Sequence, residues 1–556
     1  MGNIIDNDIF PKSCFLALVG LPVMLPEEKY YLKLSKATDL KSPAERRIYR
    51  AFEILPGFLA WLTLLSVIFL SWLKPVWIAL FIIAFDVYWL LKTIYLSVHL
   101  RAGYNRMKRN LEINWLEKLK SLSRQSERKD WQRIYHLVIL PLYKESWSVV
   151  RASLQAIANS SYPKERMIIV LATEERAGQP AAQLAQKIKR EFAGQFHKFL
   201  ITVHPANIAG ELAGKGANST WAARQVKKET IDPLKINYSD IIVSCFDIDT
   251  QVYPQYFSLL TYVYLTTNRP ARASYQPIPI YNNNIWQASC LSRVVATSGT
   301  FWQMMQQQRP ERLSTFSSQS ISFQALVEVD FWPTNMVSED SRIFWQNLLY
   351  YNGHYRTVPL HYPVSMDANL APTFLKTALN IYRQQRRWGW GVENIPFLFF
   401  GFLKNRKISW SNKFHWFWIQ LEGFWSWGTN ALLIFLLGWL PLFLGGQRFN
   451  VTLLSYNLPR VTRTLMTLAM IGLVGSAIYS TLLLPQRPKE YSRLKGCWKV
   501  LTIVVQWILL PFTIIVFGCL PGLESQTRLM LGKYMGFWVT PKQKAKKART
   551  RPSSSI

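Results

Sequence analysis

The stretch IIVSCFDID, residues 241–249, combines two features that together predict a fold. Its first five residues, Ile241–Cys245, form a short apolar run, typical of a strand that is buried on both faces of a parallel sheet. Asp247 and Asp249 follow directly. Such a pair is either turn chemistry, because aspartate side chains bond nearby backbone NH groups, or a site for a divalent cation. The surrounding sequence has to decide between these interpretations.

Three upstream runs share this character and alternate with helix-like segments. Strands are predicted at 134–140, 167–171, 199–203 and 241–245, and helices at 149–159 and 181–192. This alternation predicts an α/β fold with a mostly parallel sheet. Ligands of open sheets bind at the carboxyl ends of the strands. The polar turns 141–145, 173–176 and 247–249 follow three of these strands, which favours the metal interpretation of the aspartate pair.

The composition indicates a membrane protein. The 556 residues are 49% hydrophobic and 14% aromatic, yet the net charge is +32. This combination fits basic cytoplasmic surfaces beside a bilayer better than a soluble enzyme or a nucleic-acid binder. The five widely spaced cysteines show neither a disulfide framework nor a C-x-x-C metal site. Five segments are long and apolar enough to span: 54–73, 76–95, 423–444, 464–484 and 500–520.

Loop charges predict the orientation. The segments 29–50 and 101–133 are basic and are expected in the cytoplasm, with the short Lys74-Pro75 turn outside. The basic loop 486–499 is also expected inside. Counting spans then puts the C-terminus outside, although its PKQKAKKARTR run is strongly basic. Either a further span lies within 414–427 or the last apolar segment re-enters, and the charge favours a cytoplasmic C-terminus.

The chain is therefore expected to divide into segments of distinct character. They are a basic cytoplasmic segment (1–53), two transmembrane helices (54–98), a basic linker (99–133), the α/β domain (134–392), an aromatic amphipathic region at the membrane interface (393–422), three or four transmembrane helices (423–520) and a basic tail (521–556). An ordinary core helix is the alternative for the aromatic-rich stretch 396–427.

Several familiar site patterns are absent or incomplete. Residues 210–216, GELAGKG, resemble a P-loop, but the spacing is one residue short and Gly216 stands where Ser or Thr is required. The seven histidines show no H-E-x-x-H spacing, which argues against a zinc site. The sequence Ser298-Gly-Thr lacks the G-x-S-x-G elbow of a serine nucleophile.

Two motifs follow the aspartate pair downstream: VSED at 337–340 and QQRRW at 384–388. Each alone could be a solvated helix face. Asp-x-Asp, then Ser-Glu-Asp, then Gln-x-x-Arg-Trp, ahead of apolar spans, resembles the membrane-embedded family 2 glycosyltransferases, among them cellulose, chitin and hyaluronan synthases. The resemblance covers about residues 50–520. It implies a GT-A-type nucleotide-sugar-binding domain inserted between transmembrane helices, with its catalytic face in the cytoplasm of a multi-pass cell-membrane protein.

The resemblance also implies roles for the acidic residues. Asp249 would bind Mg or Mn, and Asp247 would be a further ligand on the side of the nucleotide. The cation would neutralise the departing diphosphate. Asp340 would act as the general base toward the acceptor hydroxyl, with Glu339 positioning it.

Further donor and acceptor contacts follow from the same resemblance. Phosphate binding falls to Lys215, Gln384, Arg386 and Arg387, since guanidinium groups match phosphate oxygens. The nucleotide base would be cradled by Tyr143 and Glu145, with Lys144 replacing the family's asparagine. Glu174 or Glu175 takes the place of the aspartate that usually contacts uracil. The acceptor would meet Trp388, which offers a ring for sugar stacking, and the glycine-containing segment with Gly299 and Thr300.

The predicted function is inverting transfer from a nucleotide-diphosphate sugar, most simply a UDP-sugar, to a growing polysaccharide. Two alternatives remain open: addition of a single sugar to a polyprenyl or diacylglycerol lipid, and a transporter that only binds the nucleotide sugar. The partners are thus the donor, a glycan or lipid acceptor and the bilayer, and no nucleic acid is expected.

Overall fold

The computed structural model describes residues 27–125, 130–486 and 493–539. Parts of four predicted segments lie outside the described residues: the start of the N-terminal segment, residues 126–129 of the basic linker, residues 487–492 of the basic loop, and the C-terminal run from 540 onward. The expected side of the C-terminus therefore stays a prediction.

An eight-stranded sheet forms the centre of the α/β domain, with strand order β3-β2-β1-β4-β7-β6-β8-β5. The strands are β1 (Tyr135–Leu142), β2 (Met167–Glu174), β3 (Lys198–His204), β4 (Ile241–Cys245), β5 (Gln251–Val252), β6 (Ala273–Ile280), β7 (Ser320–Ser322) and β8 (Arg356–Ser365). The four predicted strands are confirmed, and β4 has the predicted bounds.

The sheet is mixed, so the prediction of a mostly parallel sheet was wrong. The half formed by β3, β2, β1 and β4 is parallel as expected, and β6 pairs with β8 in parallel. The short strand β7, however, runs antiparallel to both β4 and β6, and β5 runs antiparallel to β8. A three-residue and a two-residue strand are too short to show a hydrophobic period, which is why the sequence did not reveal this half.

The helices cover both faces of the sheet and continue into long apolar rods. They are α1 (Pro43–Leu73), α2 (Pro75–Glu112), α3 (Trp115–Gln125), α4 (Trp147–Ala158), α5 (Gly178–Phe192), α6 (Lys215–Val226), α7 (Tyr256–Thr266), α8 (Cys290–Gln307), α9 (Phe323–Glu328), α10 (Glu339–Tyr350), α11 (Phe374–Gly389), α12 (Asn394–Lys404), α13 (Trp410–Phe435), α14 (Leu440–Leu444), α15 (Gly446–Asn450), α16 (Leu453–Leu482), α17 (Arg493–Val505), α18 (Leu510–Ile514) and α19 (Leu520–Met530).

Two apolar cores flank the sheet. One packs α6, α9, α10 and α12 against one face, and the other packs α3, α4, α5 and α7 against the opposite face. Burial on both faces explains why β1, β2 and β4 consist almost entirely of apolar residues.

Four helical stretches within the described residues are long and apolar enough to cross a membrane: Pro43–Leu73, Pro75–Glu112, Leu453–Leu482 and Gly496–Met530. A fifth is possible if α13 and Leu437–Leu444, bent by 50° at their junction, are counted as one. The predicted spans 54–73, 76–95 and 500–520 lie within three of these stretches, 464–484 overlaps Leu453–Leu482, and 423–444 corresponds to the bent pair. Only Lys74 separates α1 from α2.

The region expected at the membrane interface, 393–422, divides into two parts. Residues Asn394 to Phe402 of α12 are all buried, and they belong to the core of the α/β domain. By contrast, α13 starts with exposed aromatic side chains: Trp410 is 82% exposed, Phe414 68% and Trp418 57%. The core-helix alternative therefore describes α12, whereas the start of α13 keeps the exposed aromatic side chains expected of an interfacial segment.

Candidate active site

The carboxyl ends of the parallel strands bring the predicted turns together. In the register of the sheet, Leu142 at the end of β1 lies beside Thr173 of β2, and Thr173 lies beside Val203 of β3. On the other side, Ile139 of β1 pairs with Cys245, the last residue of β4. The turns after β1, β2 and β4 therefore share one edge of the sheet, as the sequence predicted.

Lys215 joins two of the predicted acidic motifs. Its Nζ donates to Oδ1 of Asp247 at 2.7 Å and to both carboxylate oxygens of Asp340 at 3.0 Å. Burial disfavours a charged lysine, but the carboxylates of Asp247 and Asp340 outweigh burial and raise the pKa of Lys215 well above its usual value. Residues far apart in the sequence thus form one partly buried charged cluster.

Asp340 lies in the first turn of α10, and its backbone is fixed from both sides. Its carbonyl accepts hydrogen bonds from Thr315 Oγ1 at 2.7 Å and Gln319 Nε2 at 3.0 Å. Burial raises the pKa of the Asp340 carboxyl, and Lys215 offsets part of that rise. A partly buried carboxylate of raised pKa in a cluster of this kind is suited to accept a proton.

Lys215→Met should therefore shift the pH dependence of any reaction in which Asp340 acts as a base. An ionised base is needed, so the rate falls as the pH drops through the pKa of Asp340. Without Lys215 that pKa rises further, and we expect the acid limb of the profile to move to higher pH by about 1–3 units. The measurement is kcat/KM against pH. Lys227→Met is the matched control, because Lys227 pairs with Asp232 at 2.8 Å away from this cluster; an unmoved acid limb in Lys215→Met would contradict the assignment.

Glu339 precedes Asp340 and is 2% exposed. Burial and the neighbouring Asp340 carboxylate raise the pKa of Glu339, so it holds a proton more readily than an ordinary glutamate. Its Oε1 has no hydrogen-bond partner among the described residues.

Glu393, which the sequence did not single out, holds the turn that carries Glu339 and Asp340. Its Oε1 accepts from Ser338 N at 2.9 Å, from Val337 N at 3.3 Å and from the Ser338 hydroxyl, and its Oε2 accepts from Trp390 Nε1 at 2.9 Å. Glu393 is 5% exposed. A buried carboxylate that satisfies this many donors fixes the start of α10 in place.

Glu393→Ala should destabilise the protein by about 3–5 kcal/mol, since four donors lose their acceptor and the buried Arg342 nearby loses a compensating charge. Glu393→Gln keeps the shape and an acceptor oxygen and should cost less. Thermal unfolding followed by tryptophan fluorescence compares the two variants with the wild type. Equal unfolding temperatures for all three would show that Glu393 does not hold this turn.

Asp249 is 1% exposed and points toward the segment that follows β8. Its Oδ2 accepts from Asp367 N at 2.9 Å, and its carbonyl accepts from Asn283 Nδ2 at 3.0 Å. Burial, followed by the charges of Asp247 and Asp249, raises the pKa of Tyr281. The two aspartates of the opening motif therefore approach the same tyrosine.

The described residues contain no group of three or more His, Cys, Asp or Glu side chains suited to hold a metal by themselves. Asp247 and Asp249 nevertheless supply two carboxylates, and Mg²⁺ is usually bound by one or two carboxylates together with substrate phosphates and water. This donor set fits a cation that takes its remaining ligands from a diphosphate.

The turns after β1 and β2 form a second cluster at the same edge. Arg176 makes an ion pair with Glu174 and lies over the Tyr143 ring at 4.6 Å. Glu145 accepts from Tyr143 N at 2.8 Å, while Glu175 accepts from Ala206 N at 2.8 Å. Glu174 at the end of β2 and Glu175 just after it are therefore both engaged by the protein. Arg176, absent from the sequence prediction, contacts both Glu174 and the Tyr143 ring.

The QQRRW motif lies at the end of α11, and its members face different surroundings. Gln384 and Trp388 line a cavity with Tyr281, whose ring centroid is 6.3 Å from that of Trp388. Arg387 approaches the acidic cluster, where its charge lowers the pKa of Glu339 and Asp340 in opposition to burial. Arg386 instead donates to Glu524 of α19 at 2.8 Å.

Two predicted acceptor residues lie inside a helix rather than a loop. Gly299 and Thr300 belong to α8, where the segment expected to be a glycine loop is helical throughout. Thr300 is buried and donates to the carbonyl of Pro279 at 3.0 Å, so it has a structural partner. A methyl group at Gly299 would lie 3.6 Å from Tyr281, which places this glycine beside the aromatic pair of the cavity.

The described end of the chain returns to this site. A methyl group at Gly214, just before α6, would come within 2.7 Å of the Phe537 ring. The guanidinium of Arg387 lies over the same ring at 5.3 Å. No sequence signal had connected the residues after α19 with Lys215.

Comparisons with known proteins give fold-level neighbours only. No protein-family model and no curated protein matches the chain. Among solved structures, a mannosyltransferase from Pyrobaculum calidifontis in complex with GDP-Man and Mn²⁺ is 11% identical, with a TM-score of 0.34, covering 75% of this chain and 98% of that one. S. aureus TarS 1-349 with UDP is also 11% identical, with a TM-score of 0.34, covering 63% of this chain and 91% of that one. The structure of the same protein with UDP-GlcNAc is 11% identical, with a TM-score of 0.34, covering 68% of this chain and 91% of that one. At this level of overlap these neighbours carry no conclusion about function.

Proposed function

We propose that the chain is a membrane-bound, metal-dependent, inverting glycosyltransferase of the family 2 type, which moves a sugar from a UDP-sugar to a growing polysaccharide on the cytoplasmic side. The observation that carries the proposal is the cluster in which Lys215 bonds to both Asp247 and Asp340. Two motifs in the order typical of that family therefore meet at one lysine, and Trp388 of the third motif lines the neighbouring cavity.

The acidic residues divide the chemistry between them. The acceptor hydroxyl attacks the anomeric carbon from the face opposite the diphosphate, and Asp340 takes its proton as the new C–O bond forms. The bond from the anomeric carbon to phosphate breaks, and its electron pair leaves with the diphosphate. Because the pKa of Glu339 is raised, Glu339 stays protonated and neutral more readily, and Asp340 is then the ionised member of the pair.

Cationic groups stabilise the donor and the leaving group. Asp247 and Asp249 would hold Mg or Mn, which supplies charge neutralisation to the diphosphate as it departs. Lys215 and Arg387 contribute fixed positive charge from the protein. Arg386 has a structural partner in Glu524, so we assign phosphate binding to Arg387 first. Tyr143 and Arg176 offer a flat, cationic surface to the nucleotide base.

The test uses the full-length protein in detergent with radiolabelled UDP-glucose, UDP-galactose, UDP-N-acetylglucosamine and GDP-mannose, each with Mg²⁺ or Mn²⁺. We expect release of the nucleoside diphosphate and a ladder of labelled glycans from at least one donor. A single labelled lipid would support single-sugar transfer instead. Binding of a donor with no release of diphosphate would overturn the enzymatic proposal.

A further inference from the structure

The amide of Asn369 is buried without a hydrogen-bond partner on either of its polar atoms. The residue is 8% exposed, and neither Nδ2 nor Oδ1 bonds to any described residue. An amide left in this state costs folding free energy, because its bonds to water are lost and not replaced. Such a group in a native fold calls for an explanation, and a ligand that completes its bonds is one.

Neighbouring asparagines show what amides do here when their role is structural. Asn284 accepts from Ala368 N at 2.8 Å and donates to Ala368 O at 2.9 Å. Asn283 donates to Asp249 O and to the Asp367 carboxylate, both at 3.0 Å. These contacts hold the backbone beside Asn369, whose own carbonyl accepts from Ser292. The main chain is thus fixed, while the Asn369 side chain is left unused by the protein.

Asn369 lines the cavity that contains Tyr281 and Trp388. The other polar side chains of its wall include Gln384, Gln385 and Asp367, and the described lining residues include no lysine, arginine or histidine. Uncharged amides and a carboxylate beside aromatic rings suit the hydroxyl groups and apolar face of a neutral sugar. A phosphate would meet the Asp367 carboxylate there with no cation to balance it.

We propose that Asn369 is a specificity-determining residue that binds hydroxyl groups of a neutral sugar at the acceptor end, with Nδ2 donating to one oxygen and Oδ1 accepting from another. The inference rests on the proposed function. It also favours one acceptor class by charge: the described lining of amides, a carboxylate and aromatic rings suits an uncharged glycan end, and it offers no cation to a polyprenyl phosphate.

The test compares Asn369→Leu, which keeps the side-chain volume and removes both polar atoms, with Asn284→Leu as a structural control. Neutral β-linked tetrasaccharides of glucose and of N-acetylglucosamine serve as acceptor probes, and a polyprenyl phosphate serves as the charged probe. Loss of two neutral hydrogen bonds should raise the acceptor KM of Asn369→Leu about 10- to 100-fold. The Kd for UDP, measured by calorimetry, should stay within about twofold, because the Asn369 amide has no hydrogen bond to Lys215, Asp247 or any other described residue.

Unfolding temperatures separate ligand recognition from a structural role. Removing an unsatisfied amide should leave the unfolding temperature of Asn369→Leu unchanged or higher, whereas Asn284→Leu should unfold at a lower temperature because two backbone hydrogen bonds are lost. A clear drop for Asn369→Leu, an unchanged acceptor KM, or preferential use of the polyprenyl phosphate by the wild type would each overturn the inference. A wild type that binds UDP but transfers no sugar would instead refute the proposed function.

Discussion

Asp340→Asn is expected to reduce sugar transfer by about 10²–10⁴-fold, the usual contribution of a positioned general base. Asparagine keeps the shape of the side chain and can still accept from Lys215, but it cannot take up the acceptor proton. Removing one of two carboxylates beside Lys215 also relieves repulsion with Asp247, so donor binding should persist. Transfer is measured as labelled product, and donor binding by titration calorimetry with UDP.

A matched control separates catalysis from the general effect of losing a charge. Asp330 pairs with Arg224 at 2.8 Å and with Lys33 at 3.5 Å, outside the catalytic cluster. Asp330→Asn should transfer sugar at nearly the wild-type rate, since surface ion pairs contribute little to stability. If Asp340→Asn matched this control, the base would have to be a different group.

Substitution of Asp249 should also reduce transfer strongly, and two variants can separate the loss of its charge from the loss of its hydrogen bond. Asp249→Asn retains an oxygen that can accept from Asp367 N, yet lacks the charge that a divalent cation prefers. We expect it to fold like the wild type and to lose about 10³-fold in transfer, since cation binding to the diphosphate contributes several kcal/mol. Asp249→Ala should lose the same activity and also unfold at a lower temperature, because the Asp367 amide loses its acceptor.

Chelation tests the same site without a mutation. EDTA should abolish transfer by the wild type, and added Mn²⁺ or Mg²⁺ should restore it. In Asp249→Asn, more metal should be needed for half-maximal activity than in the wild type. Full activity in excess EDTA would remove the metal from the proposal and leave Lys215 and Arg387 as the source of positive charge.

The parallel half of the sheet and the acidic motifs were accessible from the sequence for clear reasons. Strands buried on both faces need continuous apolar residues, and their carboxyl ends must meet at one edge, so β4 and the Asp247/Asp249 pair could be located together. Long apolar helices can likewise be predicted from composition, although α2 continues to Glu112, beyond the predicted span.

The other half of the sheet, β7-β6-β8-β5, could not be predicted because of its residues. Strands β6 and β8 each contain two prolines, and a proline within an apolar run argues against a strand. The pairing accommodates them through a register shift between Gln276 and Ile278.

Long-range hydrogen bonds were equally invisible to sequence reasoning. Glu393 follows QQRRW by a few residues and cannot be distinguished in the sequence from an ordinary helix carboxylate. It nevertheless accepts a hydrogen bond from Ser338 N, more than fifty positions away. The paired arginines Arg386 and Arg387 are adjacent in the motif, but consecutive positions on a helix point about 100° apart. Their different partners, Glu524 and the acidic cluster, depend on tertiary packing alone.

Because Lys215 bonds to both Asp247 and Asp340, substitutions at these three positions should be energetically coupled. The loss caused by any single replacement includes the strain of an unbalanced charge that the other two residues then carry. Effects of double replacements should therefore fall short of the sum of the single ones, by coupling energies of about 0.5–3 kcal/mol. Randomised libraries that vary the three codons together should yield stable proteins that single-site scans would miss.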